Sequence, residues 1–236
     1  MTIKDLGRRF SNRFFAFITK IISNNILVAA YEFMRRIQKL IRNDSQKHLI
    51  INRDSFSRHA DTISRNKGYI EDQNNYTDMI YGKSTMQYSG CEVFAVYNAI
   101  YSILGHHIID LPEMICCFEK DGMALNGKFG TSPKALRDFL DSHGFQTSFS
   151  TKEKDFDILA SECQSLILTI YNDRYDIRKE VHTVHISKNN GSYTAHNVYC
   201  NGTVVGPYPT LNELLKNINR GRAKGISLIG IHSEAC

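Results

Sequence analysis

A chain of 236 residues with 42% hydrophobic and 11% aromatic residues can bury a core unaided, which excludes a disordered chain or a disulfide-held miniprotein. The formal net charge of +5 is unevenly spread: residues 1–68 hold fourteen Lys and Arg against five Asp and Glu, so the remainder is net acidic. The six cysteines (Cys91, Cys116, Cys117, Cys163, Cys200 and Cys236) fall at irregular spacing without a C-x-x-C, the usage of free thiols in a reducing, cytoplasmic setting.

The basic segment comes first and is periodic. Ile3, Leu6, Phe10, Phe14, Phe17, Ile18, Ile21 and Ile22 recur at helical spacing among Arg8, Arg9, Arg13 and Lys20. Ile26, Leu27, Ala30, Phe33, Met34, Ile37, Leu40 and Ile41 repeat the pattern, so two amphipathic helices broken near Ser23-Asn24-Asn25 are expected. Lys20 and the asparagines interrupt any run long enough to span a bilayer, and the same interruption argues against a signal peptide. Residues 1–42 therefore read as a basic arm. It packs its apolar face on the rest of the chain, lies on an anionic membrane surface as a peripheral anchor, or binds an acidic partner. Nucleic acid is not expected, because no stacking or recognition motif accompanies the charge. Residues 43–80, rich in Asp, Asn, Ser and Arg, read as a polar linker, and 81–236 as the principal domain.

That domain opens with Gln87-Tyr-Ser-Gly-Cys-Glu-Val-Phe-Ala-Val-Tyr-Asn-Ala-Ile-Tyr101. Ser89 and Glu92 stand at capping-box spacing, which predicts Ser89 as N-cap and Cys91 as the second residue of a helix. Val93, Phe94, Val96, Tyr97, Ile100, Ile103 and Leu104 then cover most of the circumference, as in a central helix, and Gly105 ends it. A thiol on the first helical turn faces unpaired N–H groups and the positive end of the helix dipole, which favour the nucleophilic thiolate. A buried thiol is ordinarily packing, so a second group must be found before chemistry is assigned.

Further elements follow in order. Asp110-x-x-Glu113 caps a helix running toward Gly122, Ser132-Pro133 starts another that stops at Gly144, and Ser165–Tyr171 is a buried strand. Val181–Lys188 and Ser192–Tyr199 flank Asn189-Asn190-Gly191 and read as a hairpin closed by a type I′ turn. That register sets His185 opposite His196 on one face, and Val184 opposite Asn197 on the other with His182 diagonal to Asn197. Thr210-x-x-Glu213 caps a late helix, and Ile226–Ile231 is a closing strand. The class is α+β: a helical half with the cysteine, then an antiparallel half with the histidines, with the site in the cleft between them.

A catalytic thiol needs a base, and the base needs a group that fixes its tautomer. His182 and Asn197 supply that pair, and Gln87, four residues before Cys91, is the candidate oxyanion donor, with Gln73, Asn74 and Asn75 as alternatives. His185 and His196 read as surface or packing residues. A metal site built from them with Cys200 lacks further ligands at a recognisable spacing.

This chain order resembles papain-fold cysteine peptidases, and more closely their bacteriocin-processing (double-glycine) branch. Gly90-Cys91-Glu92, the segment Gly127–Phe145 and His182-Thr-Val carry the likeness, over roughly residues 80–234. The resemblance implies a papain-like two-part fold with Cys91 as nucleophile, His182 as general base, Asn197 as orienting residue and Gln87 as oxyanion donor. It also implies a peptide or protein substrate and no cofactor or metal. The chain departs from the pattern in placing Gln87 nearer its cysteine and in following Asn197 with Val198. The expected activity is thiol-dependent hydrolysis of peptide bonds. Its rivals are acyl transfer or amide modification on the same fold, and a catalytically silent module binding peptide or membrane through the arm.

Overall fold

The structure, a computed structural model, describes residues 22–41, 44–176, 180–199 and 201–232. The first helix predicted for the arm, with Arg8, Arg9, Arg13 and Lys20, lies outside these residues, as do Cys200 and Cys236. The second is present as α1 (Asn24–Gln38), whose N-cap Ser23 accepts the Ile26 N–H.

Residues 43–80 are not a linker. They form α2 (Ser45–Ser57), α3 (Ala60–Arg65) and the strand β1 (Ile80–Tyr81), which pairs with β2 (Ser84–Thr85). Ile63, Ile70, Tyr76 and Met79 are buried in the main core. The polar residues that made the segment look solvated are what fix it. Asn52 donates to the Ile80 carbonyl at 2.9 Å and accepts the Ile80 N–H at 2.7 Å. Asn98 does the same for Ile70, at 2.9 and 2.8 Å. Each buried amide replaces the two bonds a neighbouring strand would have made to that backbone.

After the short α4 (Met86–Ser89) comes α5 (Cys91–Leu104), buried without a break from Cys91 to Ile100 and closed by Gly105 at φ 72°. The caps of the next helices follow the sequence. Asp110 accepts the Glu113 N–H at the start of α6 (Leu111–Asp121), and Ser132-Pro133 opens α7 (Pro133–Ser142). The chain then supplies β3 (Thr147–Ser150), α8 (Phe156–Glu162), β4 (Ser165–Tyr171), β5 (Val181–Asn189), β6 (Ser192–His196), β7 (Val205–Tyr208), α9 (Leu211–Asn217) and β8 (Lys224–Ile231).

The last six strands form one antiparallel sheet in the order β3-β8-β4-β5-β6-β7. The expected hairpin register is observed, with Asn189 opposite Ser192 and His185 opposite His196. All seven residues of β4 are buried, because both faces of the sheet are covered. Ile167, Ile229 and Ile231 point into the core shared with α5, α6 and α7, whereas Leu166, Leu168, Ile170, Val184 and Ile186 point into a second core with α8 and α9. The fold is thus mixed α/β around an antiparallel sheet, with α5 laid against β5 and β4. That packing brings the first residue of α5 to the first residues of β5.

Candidate active site

Cys91 is the first helical residue, not the second. Gly90 is the N-cap and makes no side-chain bond, while Ser89 belongs to α4 and donates to the Ser84 hydroxyl at 2.8 Å. The capping-box reading fails because Glu92 turns inward. Its carboxylate is buried, accepts the Cys91 thiol at 3.3 Å and packs so closely on Gly130 that a Cβ there would sit 2.6 Å from its oxygens. Gly130, at φ 64°, is therefore needed both for its backbone conformation and for this approach.

Burial, and then the neighbouring Glu92 carboxylate, push the Cys91 thiol well above its ordinary range, only partly countered by the Thr183 backbone N–H bonded to it. Burial raises Glu92 itself to about 7. Burial and the carboxylate thus act against the helix N-terminus and favour the thiol over the thiolate.

His182 lies on β5, half-buried, and its Nε2 is 2.6 Å from the backbone carbonyl of Asn197. A carbonyl can only accept, so Nε2 carries the proton and Nδ1 is the basic nitrogen of the neutral ring. Burial lowers the affinity of this imidazole for a second proton. Asn197 thus orients His182, though through its backbone and not its side chain. The side chain is turned to Gln73, donating to Oε1 and accepting the Gln73 N–H, each at 3.1 Å. The strand β6 has already ended at His196, and Asn197 turns the chain with a left-handed φ of 55°, so the predicted Val184–Asn197 pair does not form.

Gln87, the expected oxyanion donor, does not line the cavity that Cys91 and His182 share, and its Nε2 donates to Asn74 Oδ1 at 3.3 Å. Gln73, Cys91, His182, Asn197 and Tyr88 wall one cavity of about 170 Å³, and the Gln73 amide is braced there by the Gln87 carbonyl at 2.8 Å.

Cys91 also borders a larger cavity of about 310 Å³, walled by Tyr88, Phe129 and Tyr171 and by Leu27, Tyr31 and Met34 of α1. Its apolar lining and size suit one apolar substituent of a ligand. The arm therefore completes a wall of the site, a contact with no local signal in the sequence.

His185 and His196 lie behind the site as packing residues, buried and stacked under Tyr69 with ring centroids 5.7 and 4.3 Å away. His196 donates from Nδ1 to Glu71 at 2.6 Å and meets the Ser187 hydroxyl at 2.8 Å, and His185 meets the Ser165 hydroxyl at 2.9 Å. The other Glu71 oxygen accepts the Asn197 N–H at 3.1 Å, so the network holds the carbonyl that orients His182. Sequence reasoning missed Glu71 and Glu92 in these roles. A single carboxylate among apolar neighbours, as in Cys91-Glu92-Val93-Phe94, is the signal that could have marked Glu92 as buried.

Among the described residues no group of His, Cys, Asp and Glu is arranged to hold a metal ion. Comparison with known proteins returned no matching family model, no matching curated protein and no matching solved structure.

Proposed function

We propose that the protein is a papain-type thiol hydrolase acting on peptide bonds. The observation that carries this reading is the shared cavity: Cys91 at the first position of a buried helix and His182, with Nε2 tied to a carbonyl and Nδ1 left basic, wall the same space. In the proposed reaction the substrate carbonyl carbon is attacked by Cys91 Sγ as the thiol proton passes to His182 Nδ1. The Gln73 amide and the backbone N–H at the start of α5 stabilise the oxyanion. His182 returns the proton to the leaving amine, and water then cleaves the thioester, with His182 taking the water's proton and passing it to the departing Cys91 Sγ. An apolar substrate side chain occupies the cavity beside Tyr31, Met34 and Phe129.

Because the resting pair is neutral thiol and neutral imidazole, deprotonation accompanies attack, and the rate rises with pH toward the alkaline side. The test is cleavage of a diverse peptide pool read by mass spectrometry. Wild type is expected to release defined fragments that end at bonds next to apolar residues, and Cys91→Ala none. Equal cleavage by both, or transfer to an added amine in place of hydrolysis, contradicts the proposal.

A further inference from the structure

Helix α1 is held by one side and presents the other to solvent. Asn24 donates to the carbonyls of Thr151 and Gly225, at 2.8 and 3.1 Å. Arg35 donates to the Asp121 carbonyl at 2.9 Å and pairs with Asp138 at 2.9 Å. Gln38 accepts the Asn126 N–H at 2.6 Å. Leu27, Tyr31 and Met34 on the same side border the larger cavity. The docking is largely polar, and of the apolar residues that recur at helical spacing here it uses Leu27 and Met34 but not Ile26, Phe33, Ile37 or Leu40.

Those four lie on the opposite side. Ile26, Phe33 and Leu40 are 60%, 64% and 86% exposed, and Ile37 and Ile41 are exposed along the same line. The spacing of three, four and seven residues makes this one continuous ridge along α1 and the turn that follows it, already secured from behind. Arg36 is exposed beside it. Among the described residues no helix is long and apolar enough to cross a membrane, so a helix of this kind lies on a surface if it meets lipid.

Charge selects the occupant. Residues 1–22, which run directly into α1, add Lys4, Arg8, Arg9, Arg13 and Lys20 against the one acid Asp5, along with more apolar residues. A second copy of the arm, or the preceding segment folded back on α1, would bring like charges together. An anionic lipid surface accepts both the ridge and the cations. We infer that α1 docks the protein on anionic lipid, with Ile26, Phe33, Ile37 and Leu40 at the boundary between headgroups and acyl chains. The cavity bordered by Cys91 then lies behind α1, on the side away from the lipid. The inference stands apart from the proposed hydrolysis, because its test reads no activity.

The experiment is flotation of the full chain with vesicles of equimolar phosphatidylcholine and phosphatidylserine, and with phosphatidylcholine alone. Wild type is expected to float with the anionic vesicles and to be released by salt. Phe33→Ser/Leu40→Ser and, separately, Ile26→Ser are expected to bind about tenfold or more weakly, with unchanged melting curves because each replaced side chain is mostly exposed. Absence of wild-type flotation overturns the inference, as does equal flotation by both variants, which assigns binding to residues 1–22 alone. A wild-type dimer that ignores vesicles and dissociates in the variants assigns the ridge to a second copy and also overturns it.

Discussion

One hairpin carries two kinds of histidine site. His182 has one nitrogen on a carbonyl and lies half-buried beside a cavity that also holds a thiol. His196, on the neighbouring strand, has both nitrogens engaged, by Glu71 and Ser187, and is sealed under Tyr69. The residue type and the strand environment are nearly the same. What separates them is whether a basic nitrogen is left beside open space. A histidine with every lone pair and proton satisfied inside a core contributes rigidity, whereas one that is oriented but incompletely satisfied can accept a proton.

The largest break in this comparison is expected from His182→Ala. Hydrolysis should fall by about 10²- to 10⁴-fold while thermal stability changes little. His196→Ala should do the reverse at first order: it leaves the buried Glu71 carboxylate short of a partner and costs about 1–3 kcal/mol, seen in urea unfolding. If both variants lost activity equally at unchanged stability, the division between the two sites would be wrong.

Glu92 sharpens the same contrast from the other side of Cys91. Its carboxyl titrates in the folded protein near 7, against an ordinary 4.5, so the folded state holds the proton more tightly. The native state therefore binds more protons between these values, and stability falls as pH rises through that window, by on the order of 3 kcal/mol. Glu92→Gln should abolish that slope and raise stability at neutral pH. It should also quicken alkylation of Cys91 by removing a negative neighbour. A variant whose pH–stability profile matches wild type would show that Glu92 is not the buried group described.

A smaller effect separates the two glutamines. Gln73→Ala should lower kcat by about 10²-fold with little change in KM, the pattern of a donor that acts in the transition state. Gln87→Ala, which removes only the bond to Asn74, should stay near wild type. Reversal of that order would restore Gln87 to the oxyanion site.

Much of the fold is legible in the sequence. The caps at Asp110 and Thr210, the Asn190-Gly191 turn, the Gly105 stop and the span of β4 are local signals, each set by backbone groups a few residues apart. Ser89–Glu92 misled because the same spacing serves a cap or a carboxylate turned inward, and tertiary burial decides between them. The segment 43–80 misled because buried Asn side chains that stand in for strand partners have the composition of a loop. In the site, the positions of Cys91 and His182 were legible from a helix start and a strand. Which of the glutamines and asparagines lines the cavity (Gln73, one of the alternatives), and that the Asn197 carbonyl rather than its side chain meets His182, was not. Both depend on how the loop at 71–75 meets the end of β6, a contact between residues 124 to 126 positions apart.

The most direct test of the central claim is the pH dependence of iodoacetamide labelling at each cysteine, followed by mass spectrometry, in wild type and His182→Ala. Coupling of Cys91 to His182 predicts that Cys91 labels slowly at neutral pH, gains rate toward alkaline pH faster than the other buried thiols, and loses that advantage when His182 is removed. A Cys91 profile that ignores His182, or that matches Cys116 and Cys163, would contradict a thiol–imidazole site and leave Cys91 as part of the core.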